Sequence, residues 1–542
     1  MQYMEKYEVW LRRVKDKNLL EELKNMTEEQ VSSAFFKDLE FGTAGMRGIV
    51  GAGSNCMNIY TVGKVTEAVA RYLEKRENPK IAISYDSRNM SPEFAKNISR
   101  ICAHHGITVY LAKHMMPTPF LSYMVRYYGC DLGIMITASH NPKEYNGYKL
   151  YDENGCQLLD EPSKEIMAIA ETVDMFNVKT ACLKNAVKNG LVIYTDSDVE
   201  ENYYKEVLSQ SINKVENLKV VYTALNGTGA CTVPEVLKRQ GVDVVLNKPQ
   251  CKADKNFTTC PYPNPEKKEV FALSEEIANK CSADLIVATD PDSDRVGVEV
   301  KCEDGYHHLT GNEVGALLTE YLLSQKDQKG YVVRSLVSTS LSDKIAAKYN
   351  REMKVVLTGF KFIGDFIRQL EMQGREKEYI LGFEESFGYL IGTYVRDKDA
   401  TVASMLICEM ASYYKKRGKT LVQKLSELYD EFGLYEHRVK SYRFEGKSGS
   451  EKMQELLASL RNNPFVKVAD FDVAKVTDYM QDGTGLPKAD VLAFELSNGG
   501  SIIVRPSGTE PLIKVYLTFS ENKEANAKAF AACEAFLADY FA

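Results

Sequence analysis

Three times along this chain of 542 residues, an apolar, strand-like run empties into a compact polar loop. Leu132-Gly-Ile-Met-Ile136 leads into Thr137-Ala-Ser-His140. Asp284-Leu-Ile-Val-Ala288 leads into Thr289-Asp-Pro-Asp-Ser-Asp294, and Tyr379-Ile-Leu-Gly-Phe383 into Glu384-Glu-Ser-Phe387. Helical patterns alternate with such runs. Val65, Ala68, Val69, Tyr72 and Leu73 recur at helical spacing, and Lys80-Ile-Ala-Ile-Ser84 reads as a strand. Ser91-Pro92 reads as the N-cap and first residue of a helix reaching about Gly106, and Ile107-Thr-Val-Tyr-Leu111 as a further strand. This alternation predicts α/β domains with mixed, mainly parallel sheets. Ligands of such sheets sit beyond the carboxyl ends of the strands, where all three polar loops are expected.

At roughly 100–200 residues per domain, the length accommodates about three to five domains. Further α/β units begin at Lys219–Leu246, after a polar segment near 185–205, and near Lys329, after Ser324-Gln-Lys-Asp-Gln-Lys-Gly330. Beyond about residue 440 the pattern changes. Val491–Leu496, Ser497-Asn-Gly-Gly500 and Ser501-Ile-Ile-Val504 read as a hairpin. Helical stretches carrying Met453, Leu456, Leu457 and Leu460, and Phe530, Cys533, Phe536 and Leu537, flank it. The expected division is three related α/β domains, 1–205, 206–323 and 324–438, and a smaller α+β domain, 439–542.

With 44% hydrophobic and 26% charged residues, the composition is that of a folded soluble protein and excludes a disordered, collagenous or membrane-bundle chain. No uncharged apolar run approaches the ~18 residues of a membrane span. A net charge of −7, from 68 basic and 75 acidic side chains, excludes a broadly basic nucleic-acid binder. The twelve cysteines are scattered and form no C-x-x-C, which argues against a zinc site and a dense disulfide framework. Free thiols in a reducing cytoplasm are the expectation. The charged start, Met1-Gln-Tyr-Met-Glu-Lys-Tyr-Glu8, leads into no apolar h-region, so no signal peptide is expected.

Of the segments able to carry chemistry, Asp290-Pro-Asp-Ser-Asp294-Arg295 is the sharpest. Three carboxylates at alternate positions on a tight loop repel one another, and a divalent cation with a preference for oxygen ligands relieves that repulsion, as does solvent around a plain acidic turn. A calcium-sensing loop would want Gly at its sixth position and Glu at its twelfth; here these are Arg295 and Lys301. Thr137-Ala-Ser-His-Asn-Pro142 exposes Ser139 beside His140 on a strand-end loop, without the G-x-S-x-G elbow of a hydrolase. Asn146-Gly147 and Asn154-Gly155 are expected to turn the chain on either side of a short strand, Tyr148–Tyr151. Gly382-Phe-Glu-Glu-Ser-Phe-Gly388 offers Glu384 and Ser386 to sugar hydroxyls, although a capped helix start would use the same residues. Arg505-Pro-Ser-Gly-Thr-Glu-Pro511 holds a guanidinium, two hydroxyls and a Gly-containing turn, the parts of a phosphate cradle and equally of a plain Pro-Gly turn. Asn226-Gly-Thr-Gly229 after an apolar strand resembles a dinucleotide fingerprint, but Thr232 stands where a third glycine belongs.

Taken in order, these segments resemble the α-D-phosphohexomutase family, most closely its phosphoglucomutase and phosphopentomutase branch. Phe41-Gly-Thr-Ala-Gly-Met-Arg-Gly48 is similar to the family's N-terminal loop, Thr137–Pro142 to its phosphoserine loop and Asp290–Arg295 to its metal loop. Thr358-Gly-Phe-Lys361 and Gly382–Gly388 are similar to its sugar loops, and Arg505–Pro511 to its phosphate loop. The branch is suggested by Lys143-Glu-Tyr-Asn-Gly-Tyr148 and Gly359-Phe-Lys-Phe362. Asn226 departs from the His that relatives often carry there.

The resemblance implies four domains around one cleft: phosphoserine-bearing, metal-binding, sugar-binding and phosphate-binding. It implies a phosphorylated Ser139, and Mg²⁺ held by Asp290, Asp292, Asp294 and the Ser139 phosphate. A sugar 1,6-bisphosphate would be intermediate and primer, interconverting glucose 1-phosphate and glucose 6-phosphate. His140 and Lys398 are the implied acid–base candidates. Arg47, Lys149, Arg295, Thr358, Gly359, Glu384, Ser386, Lys398, Arg505, Ser507, Gly508 and Thr509 are the implied substrate-binding residues. Hexose or pentose monophosphates would be the partners, with pentose or mannose phosphate as alternative substrates. No nucleic acid or membrane partner is expected, and a monomer is compatible with these features. Two other readings suit parts of the pattern: a haloacid-dehalogenase-like phosphatase, whose nucleophile would be an Asp, and a catalytically silent phosphosugar-binding protein.

Overall fold

The computed structural model describes residues 2–42, 45–444, 446–507 and 512–541. The chain divides into two units. One comprises the residues up to Gly311 together with Phe360–Thr420, and the other comprises Asn312–Gly359 with the residues from Leu421 on.

The first unit holds two mixed sheets. One contains β1 (Phe41–Gly42), β2 (Gly45–Ile49), β3 (Lys80–Tyr85), β4 (Thr108–Leu111), β5 (Leu132–Ile136), β6 (Tyr145–Asp152) and β7 (Val192–Tyr194), in the spatial order β1-β2-β6-β5-β3-β4-β7. Its β5-β3-β4-β7 half is parallel and its β1-β2-β6-β5 half antiparallel. The other contains β8 (Lys219–Thr223), β9 (Asp243–Leu246), β10 (Leu285–Thr289), β11 (Val296–Cys302) and β12 (Gly305–Leu309), in the order β12-β11-β10-β8-β9. Here too one half is parallel and the other antiparallel. In both sheets the strand that feeds a chemistry-bearing loop, β5 or β10, sits at the junction of the halves. Both strands are buried at every position. Burying each Leu, Ile or Val side chain contributes about 1.5–3 kcal/mol, so the loops hang from firmly held strands.

In the second unit, β13 (Tyr331–Ser335) and β14 (Glu352–Val356) pair in parallel. In the first, β15 (Tyr379–Glu384) and β16 (Gly388–Leu390) form a tight antiparallel hairpin. The second unit continues with an antiparallel sheet of β17 (Glu436–Arg443), β18 (Lys467–Val468), β19 (Phe471–Asp478), β20 (Leu492–Leu496), β21 (Ser501–Pro506) and β22 (Leu512–Phe519). β20 and β21 are the expected hairpin. The helices Gly446–Asn462 and Lys523–Phe541 pack Met453, Leu457, Leu460, Phe530, Cys533 and Leu537 onto this sheet.

Two local expectations need correction. Asn146-Gly147 lies inside β6 and turns nothing. β6 is hydrogen-bonded on both edges, to β2 and β5, and Asn146 donates to Asn89 O and Ser91 Oγ instead of shaping a turn. Asn154-Gly155 does turn, with Gly155 at φ +77°. Ser91 is the first helical residue rather than the N-cap, which is Met90, because its hydroxyl is drawn to Asp86. Among the described residues, no helix is long and apolar enough to cross a membrane.

Candidate active site

Immediately after β5, Ser139 adopts φ +52°, a left-handed conformation costing a non-glycine residue about 1–2 kcal/mol. Strain of this kind persists only where neighbours hold it. The Ser139 N–H donates to Thr137 Oγ1 at 2.8 Å, and its Oγ donates to Asp290 Oδ2 at 2.8 Å. The Oγ is also 3.2 Å from His140 Nδ1. The sharp bend thus turns the hydroxyl of the first sheet toward the aspartate loop of the second.

That loop begins where β10 ends. Asp290 Oδ1 accepts the main-chain N–H groups of Asp294 (3.1 Å) and Arg295 (3.0 Å), curling the chain back on itself. Asp292 accepts the Thr118 hydroxyl and the Lys149 ammonium, each at 2.8 Å. Lys398 lies 3.2 Å from Asp294 and 3.1 Å from Asp397, which in turn accepts the Tyr151 hydroxyl at 2.7 Å. Gly388 makes room for this lysine, since a Cβ there would fall 2.0 Å from Lys398 Cδ.

One oxygen from each of Asp290, Asp292 and Asp294 lies within 4.8 Å of the others, and all three residues are buried. Oδ1 of Asp292 and of Asp294 is sequestered from solvent without a hydrogen-bond partner. Buried carboxylate oxygens without donors are costly, and an oxygen-seeking divalent cation satisfies them. The donor set therefore fits a hard metal ion.

The electrostatics divide the carboxylates. Burial, with the neighbouring Asp292 and Asp294, pushes Asp290 well above the usual carboxylate range. Burial works in the same direction on Asp292, but Lys149 and the hydrogen bonds around it hold this carboxyl well below that range. Burial, Arg295 and Arg47 depress His140 well below the ordinary imidazole value, so the ring beside Ser139 is neutral. For Lys149 and Lys398, the pull of the adjacent carboxylates outweighs burial and keeps both ammonium groups charged.

Ser139, His140, Lys149, Asp290, Asp292, Asp294, Arg295 and Lys398 thus meet within the first unit. Arg47 joins them by donating to Asn141 Oδ1 at 2.8 Å, while Thr43 and Ala44 of its loop lie outside the described residues. Arg295 is paired with Glu266. Glu384 is buried at the end of β15 and adds to the field that charges Lys398, and Ser386 is half-buried in the turn that follows. Thr358 and Gly359 belong to the second unit, on the loop after β14. So do Arg505, paired across β21 and β22 with Lys514, and Ser507, whose N–H donates to Leu512 O. Gly508 and Thr509 lie outside the described residues.

The Asn226-Gly-Thr-Gly229 segment, which resembled a nucleotide fingerprint, underpins the aspartate loop. Thr228 donates from its N–H (2.8 Å) and its hydroxyl (3.0 Å) to Pro291 O, and a Cβ on Gly227 would fall 2.3 Å from Pro291 Cα. Asn226, at φ +63°, ties this segment to Pro249 and Lys252. Sequence reasoning missed Thr118, Asp397 and Arg88. Arg88 had a signal: Tyr85-Asp-Ser-Arg88 is a fourth polar loop at the end of an apolar strand.

Four family models match the chain in order. Family models described as phosphoglucomutase/phosphomannomutase alpha/beta/alpha domains I, II and III match residues 38–176, 201–304 and 310–432. The model of that family's C-terminal domain matches residues 465–533. The chain is 35% identical over 530 residues to the phosphoglucomutase of Staphylococcus saprophyticus, covering 94% of this chain and 96% of that protein. It is 38% identical over 509 residues to the phosphoglucomutase of Staphylococcus haemolyticus, covering 90% and 91%. In fold it is similar to a phosphoglucomutase/phosphomannomutase family protein from Burkholderia thailandensis, with TM-score 0.70, 19% identity, and 92% and 97% of the two chains covered. It is likewise similar to the open form of parafusin from Paramecium, with TM-score 0.69, 18% identity, and 92% and 94% covered.

Proposed function

Because the chain belongs to the phosphoglucomutase/phosphomannomutase family of phosphohexomutase enzymes, we propose that it interconverts α-D-glucose 1-phosphate and glucose 6-phosphate through a phosphorylated Ser139. The observation that carries this reading is the 2.8 Å contact between Ser139 Oγ and Asp290 across two sheets, beside two partnerless carboxylate oxygens. A metal ion, taken as Mg²⁺ and held by Asp290, Asp292, Asp294 and a phosphate oxygen on Ser139, would supply charge neutralisation for phosphoryl transfer. Ser139 carries the phosphoryl group, gives it to a sugar monophosphate, and takes back the group at the other end of the resulting 1,6-bisphosphate. Neutral His140 accepts a proton at Nδ1, and the Lys398 ammonium donates one toward a leaving oxygen or holds a sugar hydroxyl. Arg47 and Arg295 offset phosphate charge, and Lys149 screens Asp292. The division of labour follows the four segments 1–205, 206–323, 324–438 and 439–542, which bring phosphoserine, metal, sugar and phosphate contacts respectively. Glucose is favoured over pentose or mannose phosphate by the phosphoglucomutase relatives. The experiment is a coupled assay over the three sugar 1-phosphates with a trace of the bisphosphate, and glucose 1-phosphate should give the largest kcat/KM.

In this reading Glu384 and Ser386 contact ring hydroxyls and not the phosphate. Glu384→Gln should lower kcat/KM for every monophosphate roughly 10- to 100-fold, the loss of a charge-assisted hydrogen bond. Phosphorylation of Ser139 by a small phosphoryl donor should stay near wild type. Equal losses in both assays would move Glu384 from sugar recognition to the chemistry.

The phosphate that is not reacting needs one fixed cradle in both half-reactions, for which Arg505, Ser507, Gly508 and Thr509, with Thr358 and Gly359 beside the sugar, are proposed. Losing one Arg–phosphate contact costs about 2–3 kcal/mol, or roughly 30- to 150-fold. Arg505→Ala should weaken kcat/KM for the 1-phosphate and the 6-phosphate alike, and a penalty in one direction only would refute a shared cradle.

A further inference from the structure

The side chain of Arg88 is fully buried, and its guanidinium is not part of the reacting set. It donates to four main-chain carbonyls between Ser139 and the start of β6: Nη2 to Ser139 O and Asn141 O, and Nη1 to Pro142 O (2.8 Å) and Tyr145 O (3.1 Å). Its Nε is 3.4 Å from Asp86 Oδ2, which balances the charge. Asp86 is fixed in turn by the Ser91 hydroxyl (2.8 Å) and the Arg88 N–H (3.0 Å). A rigid fork of N–H groups can gather several carbonyls at defined angles, which a lysine ammonium cannot do.

The guanidinium also lies against the second sheet's segment, with its carbon 5.0 Å from the ring centre of Phe257. Phe257 is fully buried at φ +46°. Its stretch is held by Asn226, which donates to Pro249 O and Lys252 O and accepts from the Thr259 hydroxyl. Asn226 opens the Gly-Thr segment that clasps Pro291 of the aspartate loop. One side chain therefore touches the loop bearing Ser139 on one side and, through Phe257, the support of the aspartates on the other.

We propose that Arg88 and Phe257 form a positioning clamp that holds the left-handed Ser139 loop in register with the aspartate loop and so sets the 2.8 Å approach of Ser139 Oγ to Asp290. The clamp rests on the phosphoserine reading above and identifies what places the nucleophile. Arg88 and Phe257 are positioning residues: they act through the main chain and touch no reacting atom.

The test uses the full chain with Mg²⁺ and glucose 1,6-bisphosphate. Wild type, Arg88→Lys, Phe257→Leu and the double variant are compared for kcat, KM, the rate at which the bisphosphate phosphorylates Ser139, and Tm. Displacing a reacting group by about 1 Å costs on the order of 100-fold in rate. Arg88→Lys should therefore lose about 100-fold in kcat per phosphorylatable molecule with KM within about threefold, and phosphorylation should slow in parallel. Phe257→Leu keeps the apolar bulk without the ring and should lose about 10-fold, with the double variant no worse than Arg88→Lys because the pair acts as one unit.

A merely structural role would lower Tm and the folded fraction but leave kcat per phosphorylatable molecule at wild type, and that result overturns the clamp. Losses that multiply in the double variant overturn it as well. Should Arg88→Lys not fold, Phe257→Leu decides by the same measure. Absence of Ser139 phosphorylation in wild type would sink the phosphoserine reading and the clamp with it. An active, phosphorylated wild type beside an unimpaired Arg88→Lys would sink the clamp alone.

Discussion

Replacing Ser139 by Ala is expected to lower mutase turnover by roughly four orders of magnitude or more while leaving the fold intact. In the proposed mechanism this hydroxyl oxygen carries the phosphoryl group between the two ends of the sugar, and the substitution removes it. It also deletes the hydrogen bond to Asp290 but spares the Thr137 contact that supports the bend, so the cost in stability should stay within about 1–3 kcal/mol. Circular dichroism and Tm would show a folded protein, a coupled assay would show no turnover above background, and the bisphosphate would add no phosphoryl group. Full activity in this variant would end the phosphoserine mechanism.

The second large effect concerns the metal. Lys149 and nearby hydrogen bonds hold Asp292 well below the usual carboxylate range, and it carries one of the triad's two buried oxygens that lack a donor. Asp292→Asn keeps the shape and removes the charge. Turnover should fall roughly 100- to 1000-fold, a loss of several kcal/mol of charge stabilisation. The binding readout is independent of activity. Mg²⁺ at about 100 times its Kd should stabilise wild type by ~2.7 kcal/mol, and the variant should show a much smaller gain at the same concentration. Chelator should abolish wild-type turnover, and added Mg²⁺ should restore it. Wild-type rates in excess EDTA, or an equal thermal gain in the variant, would contradict a metal at this triad.

The parts of the site that the sequence disclosed are those whose partners are close in sequence. Leu132–Ile136 is legible as a strand because every position is apolar, and it is buried at every position. Asp290, Asp292 and Asp294 are legible by spacing, since three carboxylates on one tight loop suit a divalent cation, and the structure buries all three together. What stayed hidden depends on partners far along the chain. Asn146-Gly147 has the composition of a turn, and only the two flanking strands make it the middle of β6. Asn226-Gly-Thr-Gly229 has the composition of a nucleotide loop, yet its glycine serves a close approach to Pro291. Arg88 lies on a polar loop after an apolar strand, but its role depends on Ser139, Asn141, Pro142 and Tyr145, which only the fold brings around it. The sequence alone does not rank His140 against Lys398 as acid–base groups. Burial and neighbouring charge now separate a neutral imidazole from a charged ammonium.

The most direct test of the central claim follows one phosphoryl group. Enzyme carrying isotopically labelled phosphate on Ser139 is mixed with excess unlabelled glucose 1-phosphate and Mg²⁺, quenched within a single turnover, and separated into protein and sugar fractions. Label should leave Ser139 and appear at the 6-position, first in the 1,6-bisphosphate and then in glucose 6-phosphate, at a rate no slower than kcat. Label that remains on the protein while glucose 6-phosphate accumulates would show that Ser139 does not donate the transferred group, and would contradict the mechanism.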